Sequence, residues 1–373
     1  MAAGNTRLVV LVSAVAVAAV AIGGVVAVSQ GPEANDDRPG AASPLAVRSG
    51  PSASAQPEFT GPVKVPLQLK KLKPGREPQV AYSVDREVRG GAGGPVRVPG
   101  TASVLEFTRM GEEVFAVVSR DEYRIELLRL TITGRVETVP DVSSVVGTDD
   151  QSAVAYSTQP RGKDGLNLPG GTVFSADAGN TIQKLTVRGG WGIRVLAYRN
   201  GTVYYTAAAS DGAPAWQLYA WKPGETASKL VPTPGSPTAI SPDGKLVALR
   251  TAPGEHRACS TVNDLATGRS LWRTCDYEVR SFTPDGRTAI ATPPYDEGWA
   301  SASTAALDVR NGNLLREWTG AFFVSALAED DEHVLMLIDD QETMPRGVLR
   351  CTITTGACES AVPLGGKRIG LAR

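Results

Sequence analysis

Apolar and polar residues alternate along most of this chain in short runs that break at glycine. Six segments share one form, an apolar run, a glycine turn and a second apolar run. They are LLRLTITGRVETV (127–139), VFSADAGNTIQKLTV (173–187), LYAWKPGETASKLV (218–231), VNDLATGRSLWR (262–273), ALDVRNGNLLREW (306–318) and LRCTITTGACESAV (349–362). Their turn glycines are Gly134, Gly179, Gly224, Gly268, Gly312 and Gly356, spaced 45, 45, 44, 44 and 44. A second series interleaves with the first. Its turns fall near Gly111, Asp150, Gly201, Gly244, Gly286 and Asp331, with a mean spacing of 44. Each repeat therefore predicts four short, half-buried strands.

Four strands in about 40–45 residues is the period of a β-propeller blade. The second series closes an inner hairpin, strands a and b. The first closes an outer hairpin, strands c and d. Six repeats run from about 101 to 362. QVAYSVDREV and PVRVPG (79–100) are expected to supply the outer hairpin of a further one, and the C-terminal RIGLAR its inner strand. The expectation is an all-β, seven-bladed propeller over 61–373. Six blades with an extra hairpin is the alternative.

Two kinds of turn carry a resemblance. Ser241-Pro242-Asp243-Gly244-Lys245 and Thr283-Pro284-Asp285-Gly286-Arg287 resemble the S-P-D-G-K turn of WD40-like and TolB-type propellers. Asp264-Leu265-Ala266-Thr267-Gly268-Arg269 resembles the D-x-x-T-G-K outer turn of WD40-like, TolB-like and quinoprotein-type repeats. In such turns proline presets φ, aspartate accepts from the backbone and glycine takes positive φ. The Trp-Asp and Gly-His pairs of true WD40 repeats are absent. The resemblance implies the fold, and a fold hosts binding proteins and enzymes alike.

The N-terminus bears on compartment. Leu8–Val28 is an uncharged stretch of 21 residues. As a helix it would span roughly 31 Å, close to a bilayer's hydrocarbon core. Arg7 precedes it, and Glu33, Asp36 and Asp37 follow. The positive-inside rule then exports the rest of the chain. A signal anchor is favoured by length. A cleaved signal peptide is supported by Ala27 and Ser29 before Gln30, and a buried core helix fits badly. Residues 1–29 are thus read as an anchor or signal peptide. Residues 30–60, with Pro32, Pro39, Pro44, Pro51 and Pro57 among Ala, Ser and Gly, are read as a disordered linker. The expected location is the cell membrane, single-pass, with the C-terminal domain outside. Secretion is the alternative.

Export changes the meaning of the four cysteines. Cys259 and Cys275 flank Gly268, and Cys351 and Cys358 flank Gly356, so each pair faces itself across one outer hairpin. Disulfides 259–275 and 351–358 are expected in an oxidising compartment. Charge narrows the partners. Lys+Arg 38 against Asp+Glu 39 gives a net charge of −1, without the basic excess of a nucleic-acid binder. Arginine outnumbers lysine 28 to 10, a bias of high-GC, actinobacterial-type sequences.

Catalytic motifs are missing. There is no G-x-S-x-G elbow, and His256 and His333 are solitary. The acidic pairs lack a D-x-D-x-D-G pattern, so neither metal nor cofactor is expected. Aromatic residues give the better signal. Trp221, Trp272 and Trp318 fall in outer hairpins as packing residues. Trp191 falls in a d–a connection. Trp216 and Trp299 fall in b–c loops, and Tyr277, Tyr295 and Phe322 map to the same face. Asp296, Glu297, Arg346, Arg161 and Lys163 would add polar selectivity. Exposed aromatics on long loops mark binding surfaces. The expectation is a monomeric binding or scaffold module for an envelope protein, a peptide or a glycan. The alternative is a lyase or glycosidase with carboxylates in the central funnel.

Overall fold

The computed structural model describes residues 58–120, 124–163, 165–179, 181–213, 215–251, 258–294, 300–339 and 346–372. The readings of 1–29 and 30–57 lie outside the described residues, as do Tyr295, Asp296, Glu297, Trp299 and His256. Among the described residues no helix is long and apolar enough to cross a membrane.

The chain opens on β1 (Lys64–Pro66) and a 3-10 turn (Leu69–Lys71), then β2 (Tyr82–Val84), β3 (Glu87–Arg89) and β4 (Val96–Arg97). The first repeat holds β5 (Ser103–Met110), β6 (Glu113–Ser119), β7 (Ile125–Leu130) and β8 (Val136–Pro140). The second holds β9 (Val142–Gly147), β10 (Ala153–Thr158), β11 (Gly171–Asp177) and β12 (Ile182–Val187). The third holds β13 (Trp191–Arg199), β14 (Thr202–Ala208), β15 (Trp216–Trp221) and β16 (Lys229–Val231). The fourth holds β17 (Ser236–Ile240), β18 (Leu246–Thr251), β19 (Cys259–Asp264) and β20 (Ser270–Thr274). The fifth begins with β21 (Glu278–Phe282), β22 (Thr288–Thr292) and β23 (Ser301–Asp308). β24 (Leu314–Ala328) is the fifth repeat's outer strand and then the sixth's inner strand. The sixth continues with β25 (His333–Asp339), β26 (Arg346–Thr352) and β27 (Cys358–Gly365). β28 (Ile369–Leu371) ends the path.

All the turns of both series join the hairpins expected of them. The repeats form antiparallel four-stranded sheets, except that the fifth and sixth are fused through β24. This is a β-propeller. The closing sheet departs from expectation in one detail. Residues 79–89 are not one strand of an outer hairpin. They fold back on themselves as β2 and β3 around Asp85, which takes a φ of 54°. With β4 and β28 the sheet order is β28-β2-β3-β4, so the last strand of the chain pairs with the first hairpin.

The core lies between successive sheets. Val114, Ala116 and Val118 of β6 pack against Ala81 and Val88 of the closing sheet. The intervening Phe115 and Val117 pack against Val145 and Val154 of the second repeat. Strand b is therefore buried on both faces. It reads as a continuous apolar run, not as the alternation of a half-buried strand. The same division holds in β25, where Val334, Met336 and Ile338 face the fifth repeat and Leu335 and Leu337 face the closing sheet.

Trp221, Trp272 and Trp318 are buried in outer hairpins as expected. Two of them join neighbours. Trp272 Nε1 donates to Val309 O (2.6 Å) and its ring lies under Gly312, where a Cβ would come within 2.8 Å of it. Trp318 Nε1 donates to Gly356 O at 3.2 Å, one repeat further on. Both disulfides form as expected. Cys259–Cys275 ties the open end of the fourth outer hairpin, and Cys351–Cys358 the turn end of the sixth.

A segment outside the repeat runs along the outer rim. β1 adds in parallel to β24 at Lys64↔Glu317, and Pro74 bridges Ser360. Two buried arginines hold this strap. Arg316 donates to Ile353 O (3.0 Å), Thr60 O (2.9 Å) and Pro62 O. Arg350 donates to Arg76 O (2.7 Å) and Glu77 O (2.9 Å) while pairing with the buried Glu329. A third, Arg109, donates from the first repeat to Val88 O (3.0 Å) and Gly94 O (2.7 Å) of the closing sheet.

Arg350→Met leaves Glu329 buried without its main counter-charge. The expected loss is about 3–5 kcal/mol, read as a lower urea midpoint. Glu329→Gln in the same chain is expected to recover part of it. A single mutant as stable as wild type would show that the clamp is dispensable.

Candidate functional site

Strands a and c begin, and strand b ends, on one face of the ring. The a–b and c–d turns occupy the other. Paired residues at these strand ends share one side of their sheet and form a row across each repeat. The rows differ in chemistry. The first repeat has Ser103↔Ser119↔Ile125, and the second Val142↔Thr158↔Thr172. The third has Trp191↔Ala208↔Trp216. The fourth has Ser236↔Arg250↔Ser260, and the fifth begins Glu278↔Thr292. The sixth has Phe322↔Asp339↔Arg346.

Trp191 and Trp216 are thus brought together, opening β13 and β15 on either side of Ala208, two strand spacings or about 10 Å apart. Both are half-buried. The Trp216 ring lies on Gly192, where a Cβ would meet it at 2.2 Å and where φ is +60°. Its backbone N–H donates to Ser236 Oγ of the next repeat at 3.1 Å. Tyr277 lies in the d–a connection between β20 and β21, just before Glu278, packed against the core between the fourth and fifth repeats. Burial, then the neighbouring Glu317 carboxylate, push its phenol up to about 12. Arg346 opens β26 and donates through Nε to Asp339 Oδ2 at 3.0 Å. Arg161 bridges to Asn167 in the β10–β11 loop, which also carries Lys163 and exposes Leu166 (66%) and Leu168 (44%).

The charged groups of the inner strands had no sequence motif to announce them. Every one of the six repeats carries a β-bulge in its inner strand. The bulged residues are Leu105, Ser143, Leu196, Thr238, Arg280 and Val324. They lie five to seven residues before the a–b turn, and comprise five residue types. A bulge re-aims side chains and increases twist. Along the inner strands the exposed side chains of the described residues include Leu105, Arg194 and Arg280. Arg194 spans from the third repeat to Glu106 of the first (2.7 Å), and the other Glu106 oxygen accepts from Val145 N at 3.3 Å. Arg280 pairs with the buried Glu278 at 3.1 Å, and Arg250 reaches the same carboxylate at 3.8 Å.

Two buried carboxylates on this face are only half satisfied. Glu278 Oε2, 3.8 Å from Arg250 Nε, and Asp339 Oδ1 have no hydrogen-bond donor among the described residues. An arginine neutralises each group, and one oxygen of each remains an acceptor. The same face also carries the tryptophans of the third repeat and the exposed Leu166 and Leu168 of the second. The arrangement suits a ligand that offers N–H or O–H donors next to an apolar or ring surface. The opposite face differs. There Asp264 is held below the usual carboxylate range by the Thr267 N–H and hydroxyl, and Asp308 by Arg310. At Asp243 burial raises the carboxyl, but bonds from Ser241 and Lys245 outweigh it. These are turn-forming carboxylates.

No family model and no curated protein matches the chain. Solved structures do. The β-propeller domain of the trilobed protease from Pyrococcus furiosus, described as having an open velcro topology, is 11% identical with a TM-score of 0.50, covering 70% of this chain and 85% of that one. Prolyl oligopeptidase B from Galerina marginata is 12% identical with a TM-score of 0.51, covering 73% of this chain and 43% of that one. TolB from Acinetobacter baumannii is 16% identical with a TM-score of 0.41, covering 64% and 65%. The chain thus spans just under two-thirds of that TolB and less than half of the oligopeptidase. The likeness is one of fold, shared with TolB-type and other β-propellers.

The shifted groups set a pH profile. Asp264 and Asp308 have folded values below the unfolded value of about 3.9, so their stabilisation is present above that pH and lost as pH falls further. Tyr277 and Tyr82, the latter pushed to about 12 by burial and then Glu77, act in the other direction. Their contribution is complete below about pH 10 and is lost as pH rises through 12. The urea midpoint is expected to be level from about pH 5 to 9 and to fall on both sides. A Tyr277→Phe variant should retain more stability at pH 11 than wild type does, each relative to its own value at pH 8.

Proposed function

We propose that this chain is a membrane-tethered, extracytoplasmic binding module. In this reading a seven-bladed propeller presents the a/c-start face to a peptide, protein or glycan rich in hydrogen-bond donors. The single observation that carries the binding role is the pair of buried carboxylates, Glu278 and Asp339, each with one oxygen lacking a donor among the described residues, on the face that also bears Trp191 and Trp216. An acceptor fixed by an arginine and shielded from water is costly when unused and selective when used.

Counting the closing sheet as a blade gives seven. Seven apolar clusters support this count, one at each junction around the ring, including one that joins the sixth repeat to Ile369 and Leu371. Two disulfides and no free cysteine fit an oxidising compartment. The tether reading rests on Leu8–Val28. A binding role is favoured over catalysis because Glu106 and Glu278, carboxylates of the inner strands, are each committed to arginine. An acid–base pair needs a proton that moves, and a guanidinium partner opposes that.

A displayed random-peptide library and a glycan array supply the probes. Ligands selected on wild type are expected to lose at least tenfold in affinity on Glu278→Gln/Asp339→Asn, and on Trp191→Ala/Trp216→Ala. Selected ligands that bind both variants as tightly as wild type would overturn the assignment of this face.

A further inference from the structure

The strap does more than close the rim. Its apolar side chains Val65, Leu67, Leu69 and Leu72 pack against the core between the fifth and sixth repeats. Lys64, Lys70, Lys71 and Lys73 lie exposed along it. Four of the chain's ten lysines fall within residues 64–73, and no acidic residue lies among them. Lys64 reaches Glu317 at 3.2 Å. Lys70, Lys71 and Lys73 make no ion pair with a described residue. The same strap exposes Phe59 (43%) and Val63 (46%). Beside it an open apolar groove is bounded by Val65, Leu67, Leu72, Ala357 and Cys358, with Lys71 among its lining residues.

We propose that this strap docks the rim of the propeller on an anionic lipid surface. The inference rests on the reading of Leu8–Val28 as a membrane tether. Charge complementarity identifies the occupant. A lysine near an anionic bilayer favours binding by about fivefold, so three give roughly 100-fold, an attraction that salt screens. An exposed phenylalanine and valine beside the lysines suit the boundary between headgroups and acyl chains. Position in the chain adds to this. The strap follows the apolar stretch after about 30 residues of sequence. A tether of that length keeps the strap at high effective concentration near the bilayer, so weak contacts suffice. Arg316 and Arg350 fix the strap's backbone, so little order has to be gained on binding.

The test uses the full chain with vesicles of phosphatidylcholine alone or with one-third phosphatidylglycerol. A membrane-impermeant amine reagent, read by peptide mass spectrometry, reports each lysine. Lys70, Lys71 and Lys73 are expected to label at least fivefold more slowly with the anionic vesicles, while Lys184 and Lys229 are unchanged. High salt is expected to remove the protection. Deuterium uptake over residues 58–68 should slow on anionic vesicles in wild type but not in K70E/K71E/K73E. Equal labelling on the two vesicles would overturn the proposal, as would protection that appears only when an acidic protein is added. Flotation with neutral vesicles tests the tether separately. A chain that fails to float there but is protected on anionic vesicles loses the tether and keeps the docking surface.

Discussion

A ring of sheets closes only if the two ends of the chain find partners for backbone groups that no repeat supplies. Here buried arginine solves that problem. A guanidinium carries five N–H donors in a fixed plane, so one side chain can satisfy several carbonyls at once. Arg109 does this between the first repeat and the closing sheet, Arg350 where the strap enters that sheet, and Arg316 where the strap first meets the rim. Arg316 and Arg350 sit inside the protein with their donors turned to carbonyls and carboxylates, while Arg109 keeps its Nε without an acceptor among the described residues; burying a charge without such partners costs too much. The velcro pairing of β28 with β2 is only three residues long. The arginines and the apolar cluster around Ile369 therefore carry much of the closure.

This seam also marks where the sequence stops being legible. Glycine turns at a constant period reveal the repeats because the physics of a tight turn is local. The disulfide pairing follows from the same period. The Asp85 turn escapes notice, since aspartate tolerates positive φ without a flanking glycine. β1 pairs in parallel with a strand some 250 residues later, and nothing near Lys64 announces it. The arginine clamps are hidden for a related reason. A hydropathy pattern reads arginine as surface, and only the finished backbone shows carbonyls converging on it.

The candidate site divides in the same way. Trp191 and Trp216 can be placed on the right face from loop position alone. That Trp216 lies on Gly192, and that Tyr277 is turned toward Glu317, depends on packing between neighbouring sheets. Glu278, Arg280 and Asp339 lack any local signal. Their importance comes from register, since each stands at or near a strand end, and for Arg280 from an inner-strand bulge that recurs in all six repeats with five different residue types. The bulge belongs to the architecture, and its residue type is free to vary.

That freedom explains the asymmetry of the molecule. The turn face repeats itself, because each hairpin must solve the same backbone problem with Asp, Thr and Gly. The opposite face changes from hydroxyls to tryptophans to ion pairs around the ring while strand geometry stays constant. Chemistry can diversify there without touching closure, since the clamps lie on the outer rim and at the turn side of the first repeat. The exposed lysines are likewise on the rim, away from both strand-end faces. A protein held by its rim would keep the varied face open to a partner. On the proposed reading, attachment, closure and recognition would use separate parts of the molecule, so a change in any one need not disturb the others.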